Sequence, residues 1–176
     1  MWRPWLLVFL VLAGCTGLPK GVQPIDDFEL DRYLGTWYEI ARLDHRFERG
    51  LSRVTANYSL RSDGGVTVQN RGFSASDGEF EEATGKAYFV GESATGHLKV
   101  SFFGPFYGSY VIFNLDPEYQ HAFVSGYNKN YLWLLSRTPV ISDAVISQFK
   151  DEAQRLGFDT SQLIMVDQSL VEPVPE

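Results

Sequence analysis

The sequence has few of the residues that metal sites, catalytic sites and nucleic-acid-binding surfaces require. Its 176 residues include one cysteine and three histidines, and they contain no His-Glu-x-x-His, Gly-x-Ser-x-Gly or glycine-rich phosphate-binding motif. His97 and His121 have no histidine or cysteine at metal-ligand spacing. The 22 acidic residues outnumber the 15 basic ones, which disfavours nucleic acid and leaves no obvious basic patch for anionic lipid headgroups. We therefore predict no metal, no cofactor, no catalytic site and no nucleic-acid partner.

The sequence also lacks an apolar run long enough to cross a membrane as a helix. After Arg3, the apolar run 5–12 is too short for a bilayer span and is typical of a secretory signal. It ends at Leu12-Ala13-Gly14-Cys15, which resembles the lipobox of bacterial lipoproteins, where the cysteine receives diacylglycerol. We predict a lipoprotein signal peptide over 1–14 and lipidation of Cys15. The alternative is an ordinary signal peptide with an incidental cysteine.

The residues from Cys15 onward divide into a tether, one domain and a tail. The segment 15–24 is rich in glycine and proline and is predicted to be a lipidated tether. Residues 25–170 have the length of one domain, and the proline-broken 171–176 is predicted to be a tail. Thr16 stands where inner-membrane lipoproteins commonly have Asp, so the resemblance implies an anchor in the outer membrane, on its periplasmic face.

Strand patterns recur at regular intervals after residue 33. Asp63-Gly64, between the second and third patterns, is a strong hairpin signal. No connection between successive strands looks helical, so neighbours should be antiparallel. Eight short strands avoid exposed edges by closing, which predicts an all-β, eight-stranded antiparallel up-and-down barrel that is either packed inside or able to hold one small ligand. The predicted strands are 34–42, 54–60, 66–73, 84–90, 98–103, 109–115, 122–127 and 131–135.

Helical patterns flank the strands. A short helical turn is predicted within 25–33, where it would plug one end of the barrel. After the strands, Ser142 and Asp143 provide a cap and an acidic first turn, and an apolar stripe that includes Phe149 continues until Gly157. This C-terminal α-helix can bury its apolar face only against the outside of the barrel. Residues 163–166 are predicted to add a ninth strand.

Three segments resemble the signature segments of the lipocalin family and occur in the same order. They are Gly-Thr-Trp at 35–37, Leu-Asp-Pro-Glu-Tyr at 115–119 and Leu-Trp-Leu-Leu-Ser-Arg at 132–137. With the lipobox, they make the chain similar to the bacterial outer-membrane lipoprotein lipocalins. The resemblance implies that Trp37 lies inside the closed end of the barrel and that the Arg137 guanidinium packs on it, as a floor and not as a catalyst.

Side-chain alternation along the strands predicts which residues face the barrel interior. Ala56, Ala87 and Ala122 would leave space there that larger residues would fill, which indicates a cavity. The alternative is that the inward side chains simply pack against one another. The predicted ligand-binding residues are Trp37, Ala56, Tyr58, Val68, Ala87, Phe89, Val100, Phe102, Tyr110, Ile112, Ala122, Val124, Tyr131 and Trp133.

A cavity lined by apolar and aromatic side chains suits an acyl chain, and the family resemblance implies fatty acids or lysophospholipids as partners. Glu39, Asn70, Tyr110 and Tyr131 could meet a headgroup. Glu39 is unusual, because its inward parity requires that its carboxylate be paired or solvated.

The segment 44–50 should arch over the open end of the barrel. His45 and Glu48 could form a metal or acid–base pair there, but we favour a solvated loop with Phe47 over the mouth. The leading functional hypothesis is a membrane-anchored protein that binds, stores or transports lipid. The alternatives are a lipid- or isoprenoid-modifying enzyme with His45, Glu48 or Glu39 as base, and a homodimeric envelope scaffold with no ligand.

Overall fold

The computed structural model describes residues 16–169. The predicted signal peptide over 1–14, the predicted lipidation site Cys15 and the predicted tail over 171–176 lie outside the described residues. Within them, no helix combines the length and the apolar character that a bilayer crossing requires.

The described residues form nine strands, two α-helices and one 3-10 turn, which is Thr160–Gln162. The helices are α1 Leu30–Tyr33 and α2 Asp143–Arg155. The strands are β1 Gly35–Leu43, β2 Leu51–Leu60, β3 Val66–Ser74, β4 Glu79–Phe89, β5 His97–Ser101, β6 Gly108–Leu115, β7 His121–Ser125, β8 Leu132–Ser136 and β9 Leu163–Met165. Every predicted strand and helix is present, with its ends shifted.

The sheet closes because β1 pairs with strands on both of its sides. Strands β2 to β8 are neighbours in chain order, and β1 joins β8 to β2. Gly35 lies opposite Tyr58 in β2, and Glu39 lies opposite Leu135 in β8. The predicted eight-stranded antiparallel barrel is confirmed. The added strand β9 pairs with β1, where Met165 lies opposite Ala41.

The barrel has one closed and one open end. The closed end carries α1 and the β2–β3 and β6–β7 turns, and the open end carries the β1–β2, β3–β4 and β5–β6 loops. An inner apolar cluster that includes Phe28, Tyr33 and Trp37 fills the closed end. A separate outer cluster that includes Phe149 and Ala153 lies between the barrel wall and α2. The C-terminal helix therefore packs outside the barrel, as predicted.

A β-bulge in β1 interrupts the expected alternation of its side chains. The register with β8 shifts between Glu39 and Ala41, and Ile40 and Ala41 both belong to the outer cluster. Because a bulge places two residues opposite one, Arg42 returns to the side of the wall where Glu39 lies and pairs with it. A strict two-residue alternation would instead place Arg42 on the side of the wall opposite to Glu39.

Strand β4 begins at Glu79, earlier than the predicted 84. Its first residues are mostly polar and exposed, so a hydrophobic pattern does not reveal them. Their backbone nevertheless pairs with β3, beginning with Glu79 opposite Ser74. The β3–β4 hairpin therefore extends past the apolar core at the open end.

The N-terminal segment 16–29 contains neither helix nor strand but packs on the barrel wall. The Gly17 carbonyl accepts a hydrogen bond from Ser109 Oγ at 2.7 Å, and Val22 is buried in the outer cluster. Ile25 N donates to the Ile112 carbonyl at 2.9 Å. The described part of the predicted tether is therefore fixed to the wall from the open end to the closed end.

Candidate functional site

A cavity of about 560 Å³ lies inside the barrel and reaches the open end. Apolar and aromatic side chains such as Val100, Phe102 and Trp133 form most of its wall, and Glu39 and Asn70 are among its polar members. Small-molecule pockets typically measure about 300–1,000 Å³ and combine apolar walls with a few polar groups. The inward side chains therefore do not fill the barrel completely.

Trp37 and Arg137 seal the closed end below the cavity. The buried indole of Trp37 donates from Nε1 to the Tyr33 carbonyl at 2.8 Å. Arg137 Cζ lies 4.0 Å from the centroid of the Trp37 ring. The guanidinium also donates to the carbonyls of Thr36 at 2.9 Å and Arg32 at 2.8 Å. This is the arrangement that the family resemblance implied, and it ties α1, β1 and the end of β8 together.

Three tyrosine hydroxyls meet between the floor and the cavity. The Tyr110 hydroxyl lies 2.7 Å from that of Tyr33 and 2.8 Å from that of Tyr58. Burial is the main reason that the pKa of each phenol is raised, so all three stay uncharged. Two hydrogen bonds among three hydroxyls leave one O–H without an acceptor in the triad. All three side chains line the cavity, so this spare O–H lies on the closed-end side of the cavity.

A cluster of ionisable side chains lies in the wall near the open end. Arg42 donates from Nη1 to Glu39 Oε1 at 2.7 Å and from Nη2 to the Glu48 carbonyl at 2.7 Å. His45 Nε2 lies 2.9 Å from Glu48 Oε2, which also accepts a hydrogen bond from Trp133 Nε1 at 3.1 Å. Pairing of this kind is what allows charged groups to be buried.

The two carboxyl groups of this cluster differ in pKa. Burial raises the pKa of Glu39 well above its usual range, and the negative charge of Glu48 adds to the rise, more than Arg42 offsets. Burial also acts on Glu48, but His45, Trp133 and Arg42 outweigh it and lower the pKa of that carboxyl. Neighbouring carboxyl groups separate their pKa values in this way. Glu48 is therefore the more acidic of the two carboxyl groups.

Comparison with known proteins identifies the architecture. The family model described as a lipocalin-like domain matches residues 28–168. The chain belongs to the lipocalin family. This lipocalin is 59% identical over 164 residues to the outer membrane lipoprotein Blc of Vibrio cholerae serotype O1. The aligned residues cover 93% of this chain and 96% of the Vibrio cholerae protein. It is 55% identical over 161 residues to the protein of the same name from Escherichia coli K12, with 91% of each chain covered.

Solved structures of other lipocalins share the fold. Insecticyanin from the tobacco hornworm Manduca sexta matches this lipocalin with a TM-score of 0.69 and 22% sequence identity, over 86% of each chain. At this identity the likeness concerns the fold alone.

Nine of the predicted ligand-binding residues line the cavity of this lipocalin. They come from strands around the barrel, and they include two of the three small alanines that indicated a cavity. They are Ala56, Tyr58, Val68, Ala87, Val100, Phe102, Tyr110, Tyr131 and Trp133. Contact between these residues and a ligand stays a prediction.

The other five predicted residues face inward but are not part of the cavity wall. They pack in or against the inner cluster, and they are Trp37, Phe89, Ile112, Ala122 and Val124. The reason is that Phe28 and Tyr33 enter the barrel from the α1 side and fill the space at its closed end; the Phe28 and Phe89 rings lie 6.1 Å apart. Alternation predicts the side of the wall on which a residue lies, but not its depth in the barrel.

The loop that was predicted to be solvated is partly buried. His45 is 7% exposed, and both His45 and Glu48 line the cavity. The prediction of a solvated loop over 44–50 is therefore wrong for His45 and Glu48, while the other five residues are exposed. The loop is drawn inward because Arg42 and Trp133 both bind Glu48. Phe47 lies at the mouth of the cavity and stays 53% exposed.

Sequence reasoning missed Arg42 and the loop between β5 and β6. Arg42 was missed because a bulge leaves no signature in a hydrophobic pattern. Phe103 and Phe106 of the loop lie at the mouth of the cavity, and the density of aromatic residues in 102–107 was the signal that could have identified them.

The described residues hold no group of three or more His, Cys, Asp or Glu side chains that converge as metal ligands. The other two histidines make local contacts. His97 Nε2 lies 3.3 Å from Ser109 Oγ, and His121 Nδ1 lies 3.6 Å from Asp116 Oδ1.

Proposed function

We propose that this lipocalin binds single-chain lipids, either fatty acids or lysophospholipids, and stores or transports them in the cell envelope. The observation that carries the proposal is the open apolar cavity of about 560 Å³ above a sealed floor. Burial of about 15 methylenes contributes roughly 12 kcal/mol before costs, and association costs on the order of 4–15 kcal/mol. These magnitudes fit capture followed by release.

Polar groups near the mouth support one orientation of the lipid. Arg46 lines the cavity and makes no ion pair with another described residue, so it can meet a carboxylate or a phosphate. The Nδ1 atom of His45 and the Oδ1 atom of Asn70 have no hydrogen-bond partner among residues 16–169. Asn70 can therefore accept a hydrogen bond from the glycerol hydroxyl of a lysophospholipid. In this orientation Tyr110 meets the acyl chain and not the headgroup.

We place the protein at the outer membrane through its N-terminus. The Vibrio cholerae and Escherichia coli relatives are both named outer membrane lipoproteins, and Cys15 of this chain follows Leu-Ala-Gly. A lipidated Cys15 in the periplasmic leaflet would keep the barrel within reach of its ligands.

A fluorescent fatty acid tests the proposal by titration and displacement. Wild-type protein should bind one probe per chain, and unlabelled fatty acids and lysophospholipids, added in separate arms, should displace it. Ala56→Trp fills part of the cavity, displaces about four methylenes and should weaken binding about a hundredfold. The matched control is Ala75→Trp on the exposed β3–β4 turn, which should bind like the wild type. Equal binding by both variants would contradict the proposed site.

Two alternative hypotheses have their own readouts. The His45–Glu48 pair in the cavity wall is the arrangement that an enzyme acting on a lipid or an isoprenoid would use as a base. That hypothesis requires turnover of bound lipid by purified protein, lost in His45→Ala. A homodimer requires a doubled mass in sedimentation of the purified chain.

A further inference from the structure

The mouth of the cavity carries exposed phenylalanines. Phe103 and Phe106, in the loop between β5 and β6, are 68% and 71% exposed, and Phe47, in the loop after β1, is 53% exposed. All three side chains also line the cavity. Scattered exposed apolar residues are ordinary, but several large ones around a single opening indicate a surface that meets another apolar phase.

The N-terminal segment begins beside the same loop. Ser109 follows the first residue of β6, directly after the loop that carries Phe103 and Phe106. Its Oγ donates to the Gly17 carbonyl at 2.7 Å. The predicted lipid-bearing Cys15 is therefore two residues away from a point that is fixed near the rim of the mouth.

Electrostatic attraction does not explain an association with anionic lipids. The chain has a formal net charge of −7. Near the mouth, Arg49 is paired with Asp44 at 2.8 Å, and Arg46, beside the Phe47 ring, adds one positive charge against the net negative charge of the chain. An association with a bilayer must therefore be mainly apolar, and phenylalanine is among the residues that insert between headgroups and acyl chains.

We propose that the open end of the barrel docks on a phospholipid bilayer, with Phe103 and Phe106 inserted at the headgroup level. The occupant of this surface is the membrane that holds the Cys15 anchor. The inference rests on the proposed function for its purpose, since a lipid could then pass between leaflet and cavity without crossing water. It goes further by fixing an orientation, because an anchored barrel could also project freely or turn its closed end to the membrane.

A fluorophore at each end of the barrel tests this orientation. Gly104 lies between the two phenylalanines, and a Cβ added there would meet no atom within 4 Å. Val140, beyond β8 at the closed end, is 81% exposed. Gly104→Cys and Val140→Cys are made in the full chain, labelled with bimane, and reconstituted in phosphatidylethanolamine–phosphatidylglycerol vesicles with or without phospholipids brominated near the headgroup. Wild type is the labelling blank, because an acylated Cys15 offers no free thiol.

We expect the emission of bimane at position 104 to be blue-shifted and to be quenched by the brominated lipid, at low and high salt alike. The emission of bimane at position 140 should show neither change. Equal quenching at both positions, quenching at 140 alone, or no quenching at 104 would overturn the proposal. Labelling of wild-type Cys15 would overturn the anchored orientation. Titration of the same samples with fluorescent fatty acid separates the two proposals, because quenching at 104 without fatty-acid binding refutes the lipid-carrier function and leaves docking supported.

Discussion

The two ends of the barrel differ in what their buried groups do. At the closed end, Phe28, Tyr33 and Trp37 pack in one apolar cluster, and the guanidinium of Arg137 is engaged by backbone carbonyls. At the open end, the same wall surrounds a cavity and contains an ion pair at Arg42. The closed end therefore supplies stability, while the open end gives up packing to leave room for a ligand.

The open end also departs from regular strand geometry. The bulge between Glu39 and Ala41 interrupts β1, and Arg53 in β2 has a φ of 50°. Bulges, strained backbone and buried charges are each unfavourable on their own and are concentrated at functional regions. The closed end has departures of its own, a register shift between Ile112 and Asn114 and a positive φ at Tyr119, so the buried Arg42–Glu39 pair is what distinguishes the open end.

The same substitution at the two ends should give the largest contrast. Trp37→Ala removes a fully buried indole and should lower the free energy of unfolding by about 4 kcal/mol. Trp133→Ala removes a half-buried indole from the cavity wall, so it should lower stability less and weaken fatty-acid binding more. Urea unfolding and probe titration measure both effects. Equal loss of stability from both variants would remove the distinction between the ends.

Loss of the central cation should be the next largest effect. Arg42→Met leaves buried carboxyl groups without their positive partner and should lower the free energy of unfolding by about 3 kcal/mol. The control is Arg61→Met, which breaks the surface pair with Asp63 and should leave the unfolding midpoint unchanged. A small effect of Arg42→Met would show that the buried cluster is not held by charge pairing.

Loss of the contact between Arg137 and Trp37 should lower the free energy of unfolding less than Trp37→Ala or Arg42→Met. Arg137→Leu removes the cation–π contact with Trp37 and should lower the free energy of unfolding by about 1–2 kcal/mol. Arg137→Lys keeps the positive charge but loses the planar group that stacks on the indole and reaches two carbonyls, so it should recover only part of this loss. Full recovery by lysine would mean that charge alone matters at the floor.

The smallest effect should be a change in pH dependence at Glu39. Because its pKa is raised in the folded state, folding binds a proton that the unfolded chain has released, and stability should fall as pH rises through the folded pKa. Glu39→Gln, which resembles the protonated form, should flatten this slope. Urea unfolding from about pH 5 to about pH 9 measures it. The control is Glu118→Gln on the surface, which should keep the wild-type dependence of stability on pH. If Glu39→Gln also kept the wild-type dependence, Glu39 would not be its source.

The fold could be predicted from the sequence because local signals and closure agree. The Asp63-Gly64 turn, the alternating strands and the cap at Ser142 each indicate one element, and eight antiparallel strands have one simple way to remove their edges. The start of β4 at Glu79 was missed because a polar strand at a rim is held by backbone pairing, which leaves no hydrophobic pattern.

The site could be predicted only in part, for two physical reasons. Alternation gives the face of each residue but not its depth, so Ala122 and Val124 were placed in the wall although they pack in the inner cluster. The second reason is the bulge in β1, which places Arg42 on the same side of the wall as Glu39, so that the two side chains pair. A two-residue alternation does not predict a bulge and therefore does not predict this pair.

Quenching of tryptophan by brominated fatty acids shows whether a lipid chain lies inside the barrel. Residues 15–176 contain two tryptophans, Trp133 in the cavity wall and Trp37 at the floor. We expect quenching that saturates at one fatty acid per chain, with bromine near the carboxyl end acting mainly on Trp133, so that Trp133→Phe removes that effect. Bromine near the methyl end should still quench Trp37 in the same variant. An absence of saturable quenching at both tryptophans would contradict the claim that the barrel holds a lipid chain.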